Sequence, residues 1–364
     1  MKTRAAVFRG AGQPFEVHEL DLEEPRAGEV LVRMAAVGIC GTDLHSVKGE
    51  WNRPTPSVLG HEGAGVVEAV GEGVSSRRPG DEVVLSWAPS CGECEDCRSG
   101  RPARCVTLNR AIAASTLPDG STGLSLDGET VYRGTATGAL AERIVVSERV
   151  ALPIGEGVPL EQAALLGCAA LTGVGAALFA ARVESGSSVL VVGAGGVGQF
   201  VVQGARIAGA AEIVCVDPLQ ARREVAARLG ATRVADPDEL KGLMKAEFPD
   251  GVDYAFDAVG DPATTETAFR WTRSGGTCVI VGLPAAGRRL DLDPVDFVRR
   301  ERVLTGTIYG SADPAVALPV LLEHVRAGRL DLASQLGQSF PLDGINEAIA
   351  AALAGSPGRV LVTP

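Results

Sequence analysis

Six residues, Gly193-Ala194-Gly195-Gly196-Val197-Gly198, constrain the fold of this chain more than any others. They follow a continuous apolar run, Ser188–Val192, the pattern of a parallel strand buried on both faces. The stretch after them, 198–211, reads as a helix. In such a turn the first glycine permits a sharp reversal and the second lets the backbone approach a pyrophosphate. The last lets the helix pack close on the sheet, while the helix N-terminus offers free N–H groups and a positive dipole. Asp217 stands nineteen residues beyond Gly198, at the end of the run Glu212–Val216. A carboxylate there accepts hydrogen bonds from the adenosine ribose and repels the extra phosphate of NADP, so the pattern predicts an NAD(H) site. Arg222, five residues further, either covers the adenosine or is a solvated charge on the helix Gln220–Leu229.

Strand and helix signals go on alternating downstream, with strands expected at Val252–Asp257, 277–281 and 303–308. That alternation predicts an α/β fold with a doubly wound parallel sheet. Residues 1–150 have a different texture, short β-branched runs separated by Gly/Pro turns, as at 30–34, 65–70 and Glu82–Leu85. After 311 the texture is mixed, with helices expected at 314–327 and Ile345–Leu353 and a strand at 359–362. At 364 residues the chain is too long for one ordinary core. The expected division is 1–169, 170–308 and a return of 309–364 to the first domain. A net charge of −11 argues against nucleic-acid or anionic-membrane partners, which call for basic patches. The apolar runs are too short to span a bilayer and the start has no export pattern, so a cytoplasmic protein is expected.

Four of the eight cysteines fall within fifteen residues, as Cys91-x2-Cys94-x2-Cys97-x7-Cys105. Four thiolates close a tetrahedral zinc sphere and leave no position for water, so such a site holds a loop and does no chemistry. An iron–sulfur cluster also takes four cysteines, but the run lacks the three-residue last gap and the proline after it. Disulfides would need an oxidising compartment. Structural zinc in a lobe at about 90–106 is the expectation.

The other metal-type residues are sparse. Cys40 lies in Gly38-Ile39-Cys40-Gly41-Thr42-Asp43-Leu44-His45, His61 and Glu62 in Gly60-His61-Glu62-Gly63, and Cys168 in Leu166-Gly167-Cys168-Ala169. Two thiolates and an imidazole leave the fourth zinc position open, which a Lewis-acid catalyst requires. A lone cysteine in an apolar stretch is more often a small buried hydrophobe. Cys215 and Cys278, inside expected strands, fit that description, and taken alone Cys168 does too.

These motifs, in this order and spacing, resemble the zinc-dependent alcohol dehydrogenases of the medium-chain dehydrogenase/reductase family, liver-type branch. The resemblance runs from the first strand to Arg359. It implies a mainly β GroES-like catalytic domain beside the Rossmann domain, and a homodimer formed by pairing cofactor-domain sheets. It also implies catalytic zinc on Cys40, His61 and Cys168, and structural zinc on Cys91, Cys94, Cys97 and Cys105. Asp43 would orient His61, the role expected of a carboxylate beside a metal-bound imidazole. Glu62 would approach the metal during ligand exchange, or be simply a buried, paired carboxylate. Thr42 would take the alcohol proton and His45 would carry it to solvent. Arg359 would meet the cofactor pyrophosphate, partly compensating for Gly41, where some members carry a basic residue.

By the same resemblance Trp51 and Trp87 face the substrate channel, which would suit slim primary or flat aromatic alcohols. The alternative is that they are packing residues. Arg110 would stand near the channel mouth. Residues expected to recognise a glutathione adduct are not evident after Cys105, where Val106-Thr107-Leu108-Asn109 stand. The expected activity is interconversion of an alcohol with an aldehyde or ketone by hydride transfer to or from NAD(H). Its rivals are a thiol-adduct aldehyde dehydrogenase, a reductase of one biosynthetic intermediate, and a non-catalytic NAD-binding protein.

Overall fold

The computed structural model describes residues 1–87, 91–99 and 101–364. Two compact units result, one of 1–168, 313–326 and 336–364, the other of 169–312 and 327–335.

In the first unit the strand Glu29–Gly38 is the hub. It is apolar and buried over most of its length, with Arg33 its one exposed residue, and it pairs antiparallel with Glu62–Val70, Arg143–Ser147 and Arg359–Thr363. The register sets Gly38 opposite both Glu62 and Leu361. Three distant stretches of chain therefore meet at one strand end, immediately before Cys40. Only glycine suits position 38, because a Cβ there would stand 2.9 Å from Glu62 Oε1 and 3.2 Å from Arg359 Cγ. A second sheet runs in the order Glu129–Thr130, Leu124–Leu126, Glu16–Leu22, Lys2–Phe8, Ser57–Val58, Tyr132–Arg133. Val7, Leu20, Val32, Leu59, Leu140 and Ile144 belong to one buried cluster fed by both sheets. Each such side chain contributes about 1.5–3 kcal/mol by leaving water.

The second unit is a six-stranded parallel sheet in the order Arg233–Ala235, Glu212–Val216, Ser188–Val192, Val252–Asp257, Thr272–Ile280, Val303–Gly306. Alternate residues of its central strands feed opposite faces. Val189, Val191, Ile213 and Phe256 pack with Val201 and Ala205 on one face, while Leu190, Val214 and Ala255 pack with Leu240, Met244 and Phe269 on the other. Helices cover both faces, so the doubly wound α/β architecture read from the alternation is present. Cys215 and Cys278 are fully buried strand residues, one on each face. Asp236, Asp261 and Asp293 each cap a helix whose first turn holds proline, accepting from Asp238, Ala263 and Val295 N–H. Each cap is worth about 1 kcal/mol.

Some bounds depart from the expected ones. The helix after the glycine turn is Gly198–Ala208, ended by Gly209 at φ +87°. The strand expected at 277–281 is Thr272–Ile280, with a register irregularity across its polar start. The segment 327–335, expected with the first domain, clusters with the second unit. Polar anchoring explains this: Gln203 donates to Asp331 O at 3.0 Å, accepts from Asp331 N–H at 2.7 Å, and Arg206 donates to Arg329 O at 2.6 Å. No single helix among the described residues is long and apolar enough to cross a membrane.

Candidate active site and metal centres

The helix Gly41–Val47 begins where the hub strand ends, with Cys40 as its N-cap residue. Asp43 closes the first turn, its Oδ2 accepting the Cys40 N–H at 3.0 Å. Its Oδ1 accepts the Gly60 N–H at 3.1 Å and stands 3.5 Å from His61 Nδ1. Gly60 has φ +87°, and a Cβ there would strike Leu140 at 2.8 Å. The glycine thus lets the chain turn so that His61 enters the site. His61 Nδ1 faces Asp43, which leaves Nε2 as the free donor.

Cys168 arrives from a third element. The turn Ala164–Gly167 sits directly on the end of strand Glu82–Leu85, where a Cβ on Gly167 would meet Leu85 O at 2.4 Å. Cys40, His61 and Cys168 are all buried, and their ligand atoms lie within 4.8 Å of one another. The two sulfurs are 4.0 Å apart. The Cys168 thiol, hydrogen-bonded to Cys40, holds the Cys40 thiol well below the usual range against the effect of burial; His61 and Arg359 add to this. Burial opposes a charge on His61, but Asp43 and the Cys40 sulfur outweigh it and raise the imidazole to about 10. The Cys40 contact and burial push the Cys168 thiol up, so only Cys40 favours thiolate. A buried trio of two soft sulfurs and one imidazole fits a zinc ion with one open position.

Glu62 is fully buried beside this trio, and Arg359 Nε donates to its Oε1 at 3.0 Å. Burial pushes the Glu62 carboxyl up to about 8, with Arg359 opposing the shift. Arg359 also donates to Ile39 O at 3.1 Å. Two of the three guanidinium nitrogens are therefore committed within the protein, and the buried Nη2 has no protein acceptor. The Glu62–Arg359 pair joins two roles that the sequence treats separately.

Thr42 and His45 lie three residues apart on one helix, the spacing that sets side chains on one face. His45 Nδ1 is hydrogen-bonded to Glu50, and the ring stacks on Trp51 at 4.6 Å and 17°. Trp87 meets His61 edge-on at 6.1 Å and 82°. Arg53 lies over Trp51 at 5.9 Å. Arg110 is exposed on the helix Val106–Ala114 and makes no cation–π contact with either tryptophan. Neither Glu50 nor Arg53 is among the sequence-predicted residues. Both lie past the end of the helix, where no periodicity signals a contact.

Cys91, Cys94, Cys97 and Cys105 also bring four sulfurs within 4.8 Å of one another, with Cys94–Cys97 at 3.4 Å and Cys91–Cys97 at 3.8 Å. Backbone N–H groups of Glu93 and Cys94 hold the Cys91 thiol down to about 6, whereas desolvation pushes Cys97 up to about 12. All eight cysteines are free of disulfides. Four converging sulfurs fit a closed zinc site. Ser90 and Gly100 of this lobe lie outside the described residues.

In the second unit, Gly193 has φ +93° and a Cβ there would meet Val259 at 2.5 Å; at Gly198 it would meet Gly193 O at 1.8 Å. A Cβ on Gly195 would face open space, bounded only by Arg222 Nη1 at 4.0 Å. This is the cradle a pyrophosphate needs, with Gly196 and Val197 half-buried beside it. Asp217 braces the cradle, accepting Ala194 N–H and Leu219 N–H at 2.9 Å each. Each oxygen keeps lone-pair capacity for a ribose hydroxyl. Arg222 is 3.8 Å from Asp217, between it and Gly195.

Comparison with known proteins agrees with this geometry. The alcohol dehydrogenase GroES-like domain matches residues 26–156, and the zinc-binding dehydrogenase domain matches 196–323. The S-(hydroxymethyl)glutathione dehydrogenase of Photobacterium damsela subsp. piscicida is 37% identical over 354 residues, 96% of each chain. That of Haemophilus influenzae is 38% identical, covering 96% of this chain and 93% of its own. Among solved structures, an alcohol dehydrogenase zinc-binding domain protein from Burkholderia ambifaria superposes with TM-score 0.94 at 34% identity, over 100% of this chain and 99% of its own. The benzyl alcohol dehydrogenase of Acinetobacter calcoaceticus gives 0.93 at 30%, with the same coverage.

Proposed function

The chain belongs to the zinc-binding alcohol dehydrogenases, as an NAD-dependent zinc oxidoreductase, and from that premise we propose that it interconverts a primary, flat alcohol and its aldehyde. Cys40, His61 and Cys168 would hold the catalytic zinc, and Cys91, Cys94, Cys97 and Cys105 the structural one. Gly193, Gly195, Gly196, Val197, Gly198, Asp217 and Arg222 would bind NAD(H), and Arg359, whose Nη2 has no protein acceptor, is the further residue proposed for it. Zinc supplies Lewis acidity toward the alcohol oxygen and NAD the hydride acceptor.

The chain's own groups do the rest. Asp43 keeps His61 in one orientation. Thr42 accepts the alcohol proton and His45 takes it onward, with Glu50 fixing the imidazole ring. Glu62, beside the metal ligands, is held back by Arg359. Trp87 and Trp51 narrow the approach to the metal. The observation that carries the reading is the buried trio of Cys40, His61 and Cys168.

A thiol-adduct aldehyde dehydrogenase is the second reading, favoured by the names of the relatives. We also propose a homodimer joined at the free edge of strand Val303–Gly306. Exposed Val295, Val298, Val303 and Ile308 at and near that edge support it. A cytoplasmic home is proposed because eight free cysteines suit a reducing compartment.

The test is zinc content together with NADH formation on one metal-replete preparation. The panel contains primary, secondary and aromatic alcohols with NAD or NADP, and formaldehyde with and without glutathione. Two zincs per chain and NAD-linked turnover of an aromatic primary alcohol are expected. Turnover of formaldehyde only when thiol is added would move the reading to the adduct. One zinc or none would overturn it at Cys168.

A further inference from the structure

The proposed mechanism leaves one charged group beside the site unused. Arg53 folds back over the helix that Cys40 caps. Its Nε donates to the buried Ser46 Oγ at 2.8 Å, and its guanidinium lies 5.9 Å over the Trp51 ring, which in turn stacks on His45. Burial pulls its pKa below the usual guanidinium range, with Asp43 acting the other way.

Asp43 favours the charged guanidinium through space, but the carboxylates of the adjoining site make their direct contacts elsewhere. Glu50 holds His45, Asp43 accepts the Cys40 and Gly60 N–H groups, and Glu62 is paired with Arg359. Among the described residues, no carboxylate forms an ion pair with Arg53, and neither Nη finds a protein acceptor. Neither Nη is among the buried unpartnered atoms, so the fork stands open to solvent and to an incoming anion. The two open Nη groups form the planar fork that takes a carboxylate by two parallel hydrogen bonds.

We propose that Arg53 is a specificity-determining residue, and that the alcohol or aldehyde this chain accepts carries a carboxylate that pairs with its guanidinium. This rests on the alcohol dehydrogenase reading above. The acid group of such a substrate pairs with the open fork that Arg53 presents beside Trp51. In a chain of net charge −11 the preference is local to this one guanidinium.

The experiment uses the full-length, zinc-loaded protein and its Arg53→Met and Arg53→Lys variants, checked for zinc content and far-ultraviolet circular dichroism. Benzoate is titrated while tryptophan fluorescence is followed. The kcat/KM ratio of 4-(hydroxymethyl)benzoate to 4-methylbenzyl alcohol is measured in parallel. Saturable quenching by benzoate is expected, weakened about 10-fold or more by Arg53→Met. The substrate ratio should fall by about 10- to 100-fold, the range for losing a charge-assisted pair, with Arg53→Lys in between. Equal benzoate affinity in wild type and Arg53→Met, or an unchanged ratio, would overturn the proposal. A raised KM for NAD with an unchanged ratio would do so too, by giving the guanidinium a cofactor phosphate as partner. If neither alcohol is turned over, the alcohol dehydrogenase reading fails, while the benzoate titration still decides the role of Arg53.

Discussion

At the scale of single residues, the centre is governed by who holds which proton. Cys40 favours thiolate, and His61 holds a proton up to about 10 between Asp43 and that sulfur. Loading zinc at neutral pH must therefore expel protons. Cys40→Ala or His61→Ala should abolish turnover, by at least about 10³-fold, the scale of losing a catalytic metal's contribution. Circular dichroism should stay native, and a substantially active variant would remove the assignment. The four lobe cysteines were legible from their spacing, whereas Cys40, His61 and Cys168 came together only through the family resemblance, Cys168 taken alone reading as a buried hydrophobe. Glu50 and Arg53 were not legible, because a carboxylate past a helix end and a cation over a ring leave no spacing to read. The Glu62–Arg359 pair joins residues 297 apart, and only the register around Gly38 creates it.

At the scale of elements, strands lying between clear turn signals were read with their true bounds. Ser188–Val192, Glu212–Val216 and Val252–Asp257 are continuous runs with every apolar residue committed to one of two cores. The two-residue strands Ser57–Val58, Glu129–Thr130 and Tyr132–Arg133 carry no such pattern, since pairing and not composition defines them. One polar clasp joins three adjacent strands of the parallel sheet. Burial works against the Asp253 carboxylate, but the Ser188 hydroxyl and N–H and the Arg273 guanidinium outweigh it and hold it below its ordinary 3.8. A group lowered by folding stabilises above its unfolded pKa and loses that contribution as pH falls through the folded one. Asp253→Asn should thus cost about 1–2 kcal/mol at pH 7 in denaturant unfolding. The gap to wild type should close below about pH 3.8, where the unfolded carboxyl takes up its proton; a gap independent of pH would refute it. In the cysteine lobe, Cys94→Ala should drop zinc by one equivalent and make the segment 91–105 sensitive to protease, because a structural metal contributes directly to folding.

At the scale of the whole molecule, each unit keeps its own core, and the second exposes several valines at and near the edge strand Val303–Gly306. Val298, on the helix Pro294–Arg300, is 80% exposed and Val303, on the edge strand, 48%; an apolar surface beside a free edge invites pairing. Changing Val303 and Ile308 together to Asp should convert a dimer to a monomer in light scattering; an unchanged mass would refute the edge interface. Within the first unit, a single seven-residue helix bears Asp43, His45 and Ser46 and begins at Cys40. Its backbone cannot shift for the sake of one of them without disturbing the others. Over evolutionary time such a helix is a frozen part, and novelty must come from side chains that lean on it from outside. Trp51 and Arg53 are two such side chains. Descendants of this chain can therefore change diet by substitutions in a short loop while inheriting the same chemistry intact.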